Sequence, residues 1–384
     1  MRVTPLTSLA FLYGLAVLSR ALLLTVLPLQ AYDLLGSTQR VSFVYFAVSL
    51  ASMAAFLFLP VLARRVRRRG LLLLGPLCLI GACGLFATAA IPSFVIGLGF
   101  QMLGLALTEM VISLYVMDHL PRDQFLRFEA LRAFFASCTF TIGPWLGVRL
   151  QHDVAWSLPY LLSAAAAVSL VVLAWRLRLS DSGPCRSALK PAANPLVYIP
   201  RFFRQPRLRL SYLLAVGRSG WWSMFFVYAP LFAISSGLSE TTSGAIVSIG
   251  LAWLLLVPAW GRIARIFGVR RLLIAGYGLA GICTIIAGIE MSAPWFGIGM
   301  LVAAALAAAT LDGAGNVHFL RAVRPRERTE MAAVFGTYRD AGQTLPPGVF
   351  TVLLTAFDVR IVFIASGAAM ALLALYSRFL PRRL

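Results

Sequence analysis

Six ionisable residues stand where the neighbouring sequence is almost wholly apolar, and their types decide what chemistry the chain could do. Arg20 lies in LAVLSRALLLTVLPLQA and Arg218 in LLAVGRSGWWSMFF. Glu109 lies in LGLALTEMVISL and Asp312 in AALAAATLDGAGNV, while Arg339 and Asp340 adjoin in GTYRDAGQTLPPG. A guanidinium stays charged and grips a carboxylate or phosphate with parallel hydrogen bonds, so Arg20 and Arg218 suit an anion clamp. A carboxyl group removed from water holds its proton more tightly and exchanges it near neutral pH, so Glu109 or Asp312 suits a proton carrier. The competing reading gives each arginine an internal acid to neutralise. Trp222, one turn beyond Arg218, and Tyr13, two turns before Arg20, share faces with those arginines and are candidate solute contacts. Arg339 and Asp340 read as a gating latch. No nucleophile–base pair is spaced for catalysis, so no enzyme activity is expected. The three histidines stand apart and the five cysteines are scattered, so neither a metal site nor a cofactor is expected.

The elements that position these groups follow from composition. Of 384 residues 60% are apolar and only 12% charged, with mean hydropathy +0.85. Soluble chains carry roughly 25% charged residues, so most of this chain must be solvated by lipid. A crossing needs about 20 apolar residues. Twelve segments qualify, near 6–29, 41–63, 71–91, 93–117, 128–150, 156–177, 209–236, 241–262, 271–289, 293–317, 329–355 and 359–380. A soluble enzyme is excluded. So is an ATP motor, because the one lysine, Lys190, precedes Pro191 and cannot close a phosphate-cradling loop.

Charge orients the segments. Of 34 basic residues, 28 fall in one alternating set of connections and at the chain ends, with only six of the 14 acids. This asymmetry places both termini in the cytoplasm of a bacterial-type inner membrane, with the arginines beside anionic headgroups rather than nucleic acid. The stretch 178–208 is rich in proline and arginine. It separates a first six-helix bundle, 1–177, from a second, 209–384, as a cytoplasmic linker.

The two halves repeat. PVLARRVRRR from Pro60 aligns with GRIARIFGVR from Gly261, and Pro121-Arg122-Asp123 aligns with Pro325-Arg326-Glu327. Gly143-Pro144 and Pro346-Pro347-Gly348 fall at matching depths, where both helices are expected to break. Pro28-Leu29-Gln30-Ala31 matches Pro230-Leu231-Phe232-Ala233. Shifts of 201 to 204 residues throughout imply two bundles related by an axis along the membrane normal. Aligning the last pair sets Arg20 and Arg218 one helical turn apart in register, and the shift of 204 sets Glu109 opposite Gly313, one residue from Asp312.

These motifs resemble the major facilitator superfamily over essentially the whole chain. Its loop signature G-x-L-A-D-R-x-G-R-R is met twice, but Arg64 and Arg265 stand where the family carries an acid, so the resemblance marks them as altered gating positions. Gly143-Pro144-Trp145-Leu146-Gly147 resembles the core of the family's antiporter signature. An arginine from each of the first and seventh helices is similar to the pattern of its organophosphate antiporters. The resemblance implies an all-α membrane protein of twelve helices in two pseudo-symmetric bundles. The expected function is secondary transport, by alternating access, of an anionic or zwitterionic organic solute, with proton coupling, by a monomer. Two alternatives stand beside it: a proton-coupled exporter of lipophilic compounds, and a non-transporting membrane factor for lipid handling or assembly.

Overall fold

The computed structural model describes residues 5–56, 59, 62, 66, 68–121, 124–176, 195–290, 293–323 and 327–380. Among them every regular element is a helix. In chain order these are α1 (Pro5–Leu23), α2 (Val26–Leu35), α3 (Thr38–Phe56), α4 (Arg68–Phe86), α5 (Ile91–His119), α6 (Phe125–Asp153), α7 (Leu158–Arg176), α8 (Pro195–Phe203) and α9 (Pro206–Ser235). Then follow α10 (Glu240–Ala252), α11 (Val257–Phe267), α12 (Val269–Ile289), α13 (Pro294–Ala314), α14 (Val317–Ala322), α15 (Arg328–Gly336), α16 (Tyr338–Leu353) and α17 (Arg360–Tyr376). Helices occupy all twelve expected places, and nine of the spans among the described residues are long and apolar enough to cross a membrane. The more polar α6, α9 and the α15–α16 pair fill the other three. Large side chains such as Leu77, Ile96, Leu161, Ile282 and Leu372 are exposed, as lipid-facing residues must be.

Local chemistry explains the interruptions. A proline ring collides with the carbonyl four residues earlier. Pro28 therefore follows the gap between α1 and α2, and Pro258 follows a 3₁₀ turn at Trp253–Leu256. The breaks expected at Gly143-Pro144 and Pro346-Pro347 do not occur: α6 and α16 run through them. The one donor missing at Pro144 and the two missing at Pro346 and Pro347 are tolerated inside helices held by their neighbours.

The chain divides into two compact units. The first comprises Met1–Gly36, Ala47–Lys190 and Glu240–Ser248. In it α1 packs on α6 and α7, and α4 packs on α5 and α7. Glycines permit these approaches. A Cβ at Gly147 would stand 1.9 Å from the Leu22 carbonyl oxygen, and one at Gly143 would stand 2.6 Å from the Ala21 Cβ. The glycines of the antiporter-like piece are thus spent on bringing α6 against α1. Inside the unit, Gln30 Nε2 donates to the Phe86 carbonyl (2.8 Å) and Tyr160 donates to Gln30 Oε1 (2.9 Å), while Ser163 and Ser19 pair at 2.8 Å.

The second unit comprises Ser37–Phe46, Pro191–Ser239 and Ile249–Leu384. Here α12 packs on α13 and α17, and α9 packs on α16. A Cβ at Gly281 or at Gly367 would meet the other's carbonyl oxygen or its neighbours within 2.8 Å, so α12 and α17 cross nearly backbone to backbone. The expected linker holds α8, which packs on α15. Phe202 is fully buried with Phe319, Met331 and Phe335, and Arg201 pairs with Glu327. Ser42, at the start of α3, bonds Tyr228 of α9 at 2.6 Å.

Candidate functional site: a buried ion cluster in the second unit

The sequence Asp312-Gly313-Ala314-Gly315-Asn316 ends α13 at Ala314, inside an apolar span that runs on to Ala322. Gly315 adopts φ +54, ψ −143, a conformation that side chains with a Cβ resist, and its N–H returns to the Leu311 and Asp312 carbonyls. Helix α14 restarts after Asn316. The break turns the carbonyl end of α13 toward α9, where Arg218 lies only 7% exposed.

Arg218 fills the space so made. Its Nη1 donates to the Leu311 carbonyl at 3.2 Å and the Gly315 carbonyl at 3.3 Å, and its Nη2 donates to Asn316 Oδ1 at 3.1 Å. Its Nε stands 3.5 Å from Asp312 Oδ1. The other carboxylate oxygen, Oδ2, accepts from Trp222 Nε1 at 2.9 Å. Arg218 and Trp222 are four residues apart on one face of α9, so each takes one oxygen of the same acid. The Tyr338 ring lies 5.9 Å from the guanidinium carbon. A buried ion pair is sustained only when its remaining donors and acceptors are met. Four oxygens around one guanidinium, at the negative end of a helix dipole, meet that condition.

Of the residues singled out in the sequence, the fold brings together Arg218, Asp312 and Trp222, and it adds Asn316 to them. Arg339 is exposed and donates from Nε to the Tyr338 hydroxyl at 3.3 Å, which links it to the edge of the cluster, and Asp340 beside it is half-buried. In the first unit Arg20 is half-buried, with its guanidinium carbon 5.9 Å from the Phe140 ring. Tyr13 lies under Arg132 at 4.9 Å, and Arg132 also pairs with Glu129 at 3.2 Å. Glu109 is exposed on α5, and Arg265 is exposed on α11. Arg64 lies outside the described residues.

Three members of the cluster escape a sequence reading: Gly315, Tyr338 and His318. His318 is buried, its Nε2 faces the Ser211 carbonyl at 3.2 Å, and its Nδ1 has no hydrogen-bond partner among the described residues. The signal for Gly315 is present, since two glycines between an acid and an amide inside a membrane span mark a broken helix. Tyr338 and His318 carry no comparable mark. Among the described residues no three His, Cys, Asp or Glu side chains gather as a metal site.

The family model for the Major Facilitator Superfamily matches residues 9–257 and 237–384. No curated protein matches the chain in sequence. Among solved structures it is similar to a POT family transporter in complex with a thioalcohol-conjugated peptide, at 17% identity and TM-score 0.74, covering 96% of this chain and 94% of that one. It is similar to peptide transporter POT in complex with sulfate, at 15% identity and TM-score 0.74, covering 97% and 93%. It is also similar to nucleoside transporter NupG, at 15% identity and TM-score 0.73, covering 98% of each chain.

Proposed function

The chain belongs to the major facilitator superfamily, and from that premise we propose a secondary transporter that moves an anionic or zwitterionic organic solute by alternating access. The observation that carries this reading is the Arg218 guanidinium, buried and balanced by the single acid Asp312. A solute carboxylate or phosphate that reaches Arg218 can replace Asp312 as its partner, oxygen for oxygen. Asp312 is then left charged in a poor solvent for charge, and a cation must arrive to balance it. That exchange links solute to cation with one side chain. A proton on Asp312 is the simplest such cation, and Glu109 is a second candidate carrier.

Trp222, held against Asp312, is a proposed solute contact that would register the exchange. Arg20 and Tyr13 of the first unit are proposed as further contacts. Arg64, Arg265, Arg339 and Asp340 are proposed gating residues. The bundles are proposed as 1–177 and 209–384 with 178–208 between them. The basic connections and both termini are placed in the cytoplasm, against anionic headgroups of the inner membrane, and the transporter is a monomer that binds no nucleic acid. A structural relative is in complex with a thioalcohol-conjugated peptide, and a carboxylate-bearing solute is of the class such a handle suits. An exporter of lipophiles is less well supported, because Gly143 and Gly147 serve helix packing.

The test is counterflow in proteoliposomes against a panel of amino acids, peptides, organic acids and organophosphates. Arg218→Gln is expected to abolish exchange of the solute that the wild type carries, while the variant stays monodisperse. Wild-type exchange by Arg218→Gln would overturn the reading.

A further inference from the structure

We propose that the four oxygens holding Arg218 form a sodium site, filled by the metal ion whenever the guanidinium is drawn away. This rests on the reading of Arg218 as the solute's handle. The oxygens are Asp312 Oδ1, the Leu311 and Gly315 carbonyls and Asn316 Oδ1, each within 3.5 Å of a guanidinium nitrogen. They already surround one positive charge, so the cage has been selected for a cation. The question is what replaces that cation.

A proton answers only part of the need. It neutralises Asp312 but offers a hydrogen bond to one acceptor, leaving Asn316 Oδ1 and the Gly315 carbonyl without the donor that Arg218 supplied, while the Leu311 carbonyl keeps the Gly315 N–H. Buried acceptors left without partners are costly. A hard metal ion that takes several oxygen ligands meets more of them than a proton does. Net charge selects the valence. With one carboxylate the cage carries a single negative charge, so a monovalent ion leaves it neutral and a divalent ion leaves an excess charge in low dielectric. The helix end adds a further negative pole.

Access and adaptability are both present. The Asp312 side chain keeps 28% of its surface open, against 9% for Arg218, so the acid is the more accessible member of the pair. Gly315 tolerates backbone rotation that closes its carbonyl on a smaller ion. Trp222 holds Oδ2 and leaves Oδ1 free to change partners.

The experiment uses purified full-length protein without solute, in choline chloride at constant ionic strength. Sodium and potassium are titrated separately while Tm and tryptophan emission are followed. In Arg218→Gln, whose cage has lost its occupant, sodium is expected to raise Tm saturably and potassium to act no better than choline. The sodium effect is expected to vanish in Arg218→Gln/Asp312→Asn and to need about tenfold more sodium in Arg218→Gln/Asn316→Ala. A sodium response no larger than choline's, or one that survives Asp312→Asn, would overturn the site. If Arg218→Gln does not fold, Arg218→Met carries the same titration. Radioactive sodium binding to Arg218→Gln, with Arg218→Gln/Asp312→Asn as control, gives an independent measure, and equal binding by the two proteins also refutes the proposal. Sodium binding is read without transport, so failure of the sodium site and failure of the anion reading are told apart by the two assays.

Discussion

A double-mutant cycle on Arg218 and Asp312 tests whether the cluster acts as one electrostatic unit. Arg218→Gln leaves Asp312 with one donor, Trp222 Nε1, and removes the donors to Leu311, Gly315 and Asn316. Removing one partner of a buried pair costs about 3–5 kcal/mol. The acid is half-buried and can take up a proton, so about 3 kcal/mol is expected, at the lower end of that range. Asp312→Asn leaves a guanidinium that cannot discharge, still held by three neutral oxygens, and a loss of about 3 kcal/mol is again expected. In the double variant both charges are gone and the two introduced amides can bond each other. Its cost is expected to match one single variant rather than their sum, giving a coupling energy of about 3 kcal/mol. Equilibrium unfolding in mixed micelles, followed by circular dichroism in sodium-free buffer, measures all four proteins. A double variant whose loss equals the sum of the singles within about 0.5 kcal/mol would show two independent side chains and refute the reasoning.

Gly147→Ala drives a methyl group into the Leu22 carbonyl and is expected to cost at least about 1–3 kcal/mol; unchanged Tm would deny the close crossing of α6 and α1. Tyr160→Phe strips Gln30 Oε1 of its donor and is expected to cost about 0.6–1.7 kcal/mol, the range for hydrogen bonds between membrane helices. Unfolding with graded SDS measures that loss. On α8, Phe202→Ala is expected to cost about 3–5 kcal/mol, because the ring is fully buried. The neighbouring Arg201→Ala removes a pair whose arginine is 60% exposed and is expected to cost under about 1 kcal/mol. Equal losses would mean that the linker helix is held by charge rather than by its ring.

The sequence discloses the repeat and the helical spans because both are carried by spacing along the chain. It discloses Asp312, Arg218 and Trp222 as candidates because an ion in an apolar run is conspicuous. It does not disclose that they are one another's partners. That depends on how α9 packs on α13 and α14, and no local pattern encodes it. Repeat symmetry invites a matched reading of Arg20 and Arg218, yet their surroundings differ: Phe140 lies beside the first, and four oxygens surround the second. Prolines mislead in the other direction. Pro144 and Pro346 look like breaks, and packing at Gly143, Gly147 and Gly342 keeps their helices continuous.

The break in α13 is what separates the two repeats chemically, and one residue makes it. At a shift of 204, Gly315 and Asn316 align with Val111 and Ile112 of α5, which are buried in an unbroken helix from Ile91 to His119. A β-branched residue resists positive φ, so α5 keeps its carbonyls bonded internally and Glu109 has no cage around it. Gly315→Val should carry the first repeat's solution into the second. The substituted residue must either strain at φ +54, at a cost of about 1–3 kcal/mol, or let the helix run on and withdraw its carbonyl from Arg218. In the first case stability falls, and in the second the cage loses an oxygen. Solute counterflow is expected to fall and the sodium response of Arg218→Gln to weaken, while circular dichroism shows helix content held or raised. Wild-type transport and stability in Gly315→Val would mean that the left-handed turn is dispensable, and that the oxygens around Arg218 do not depend on the break that presents them.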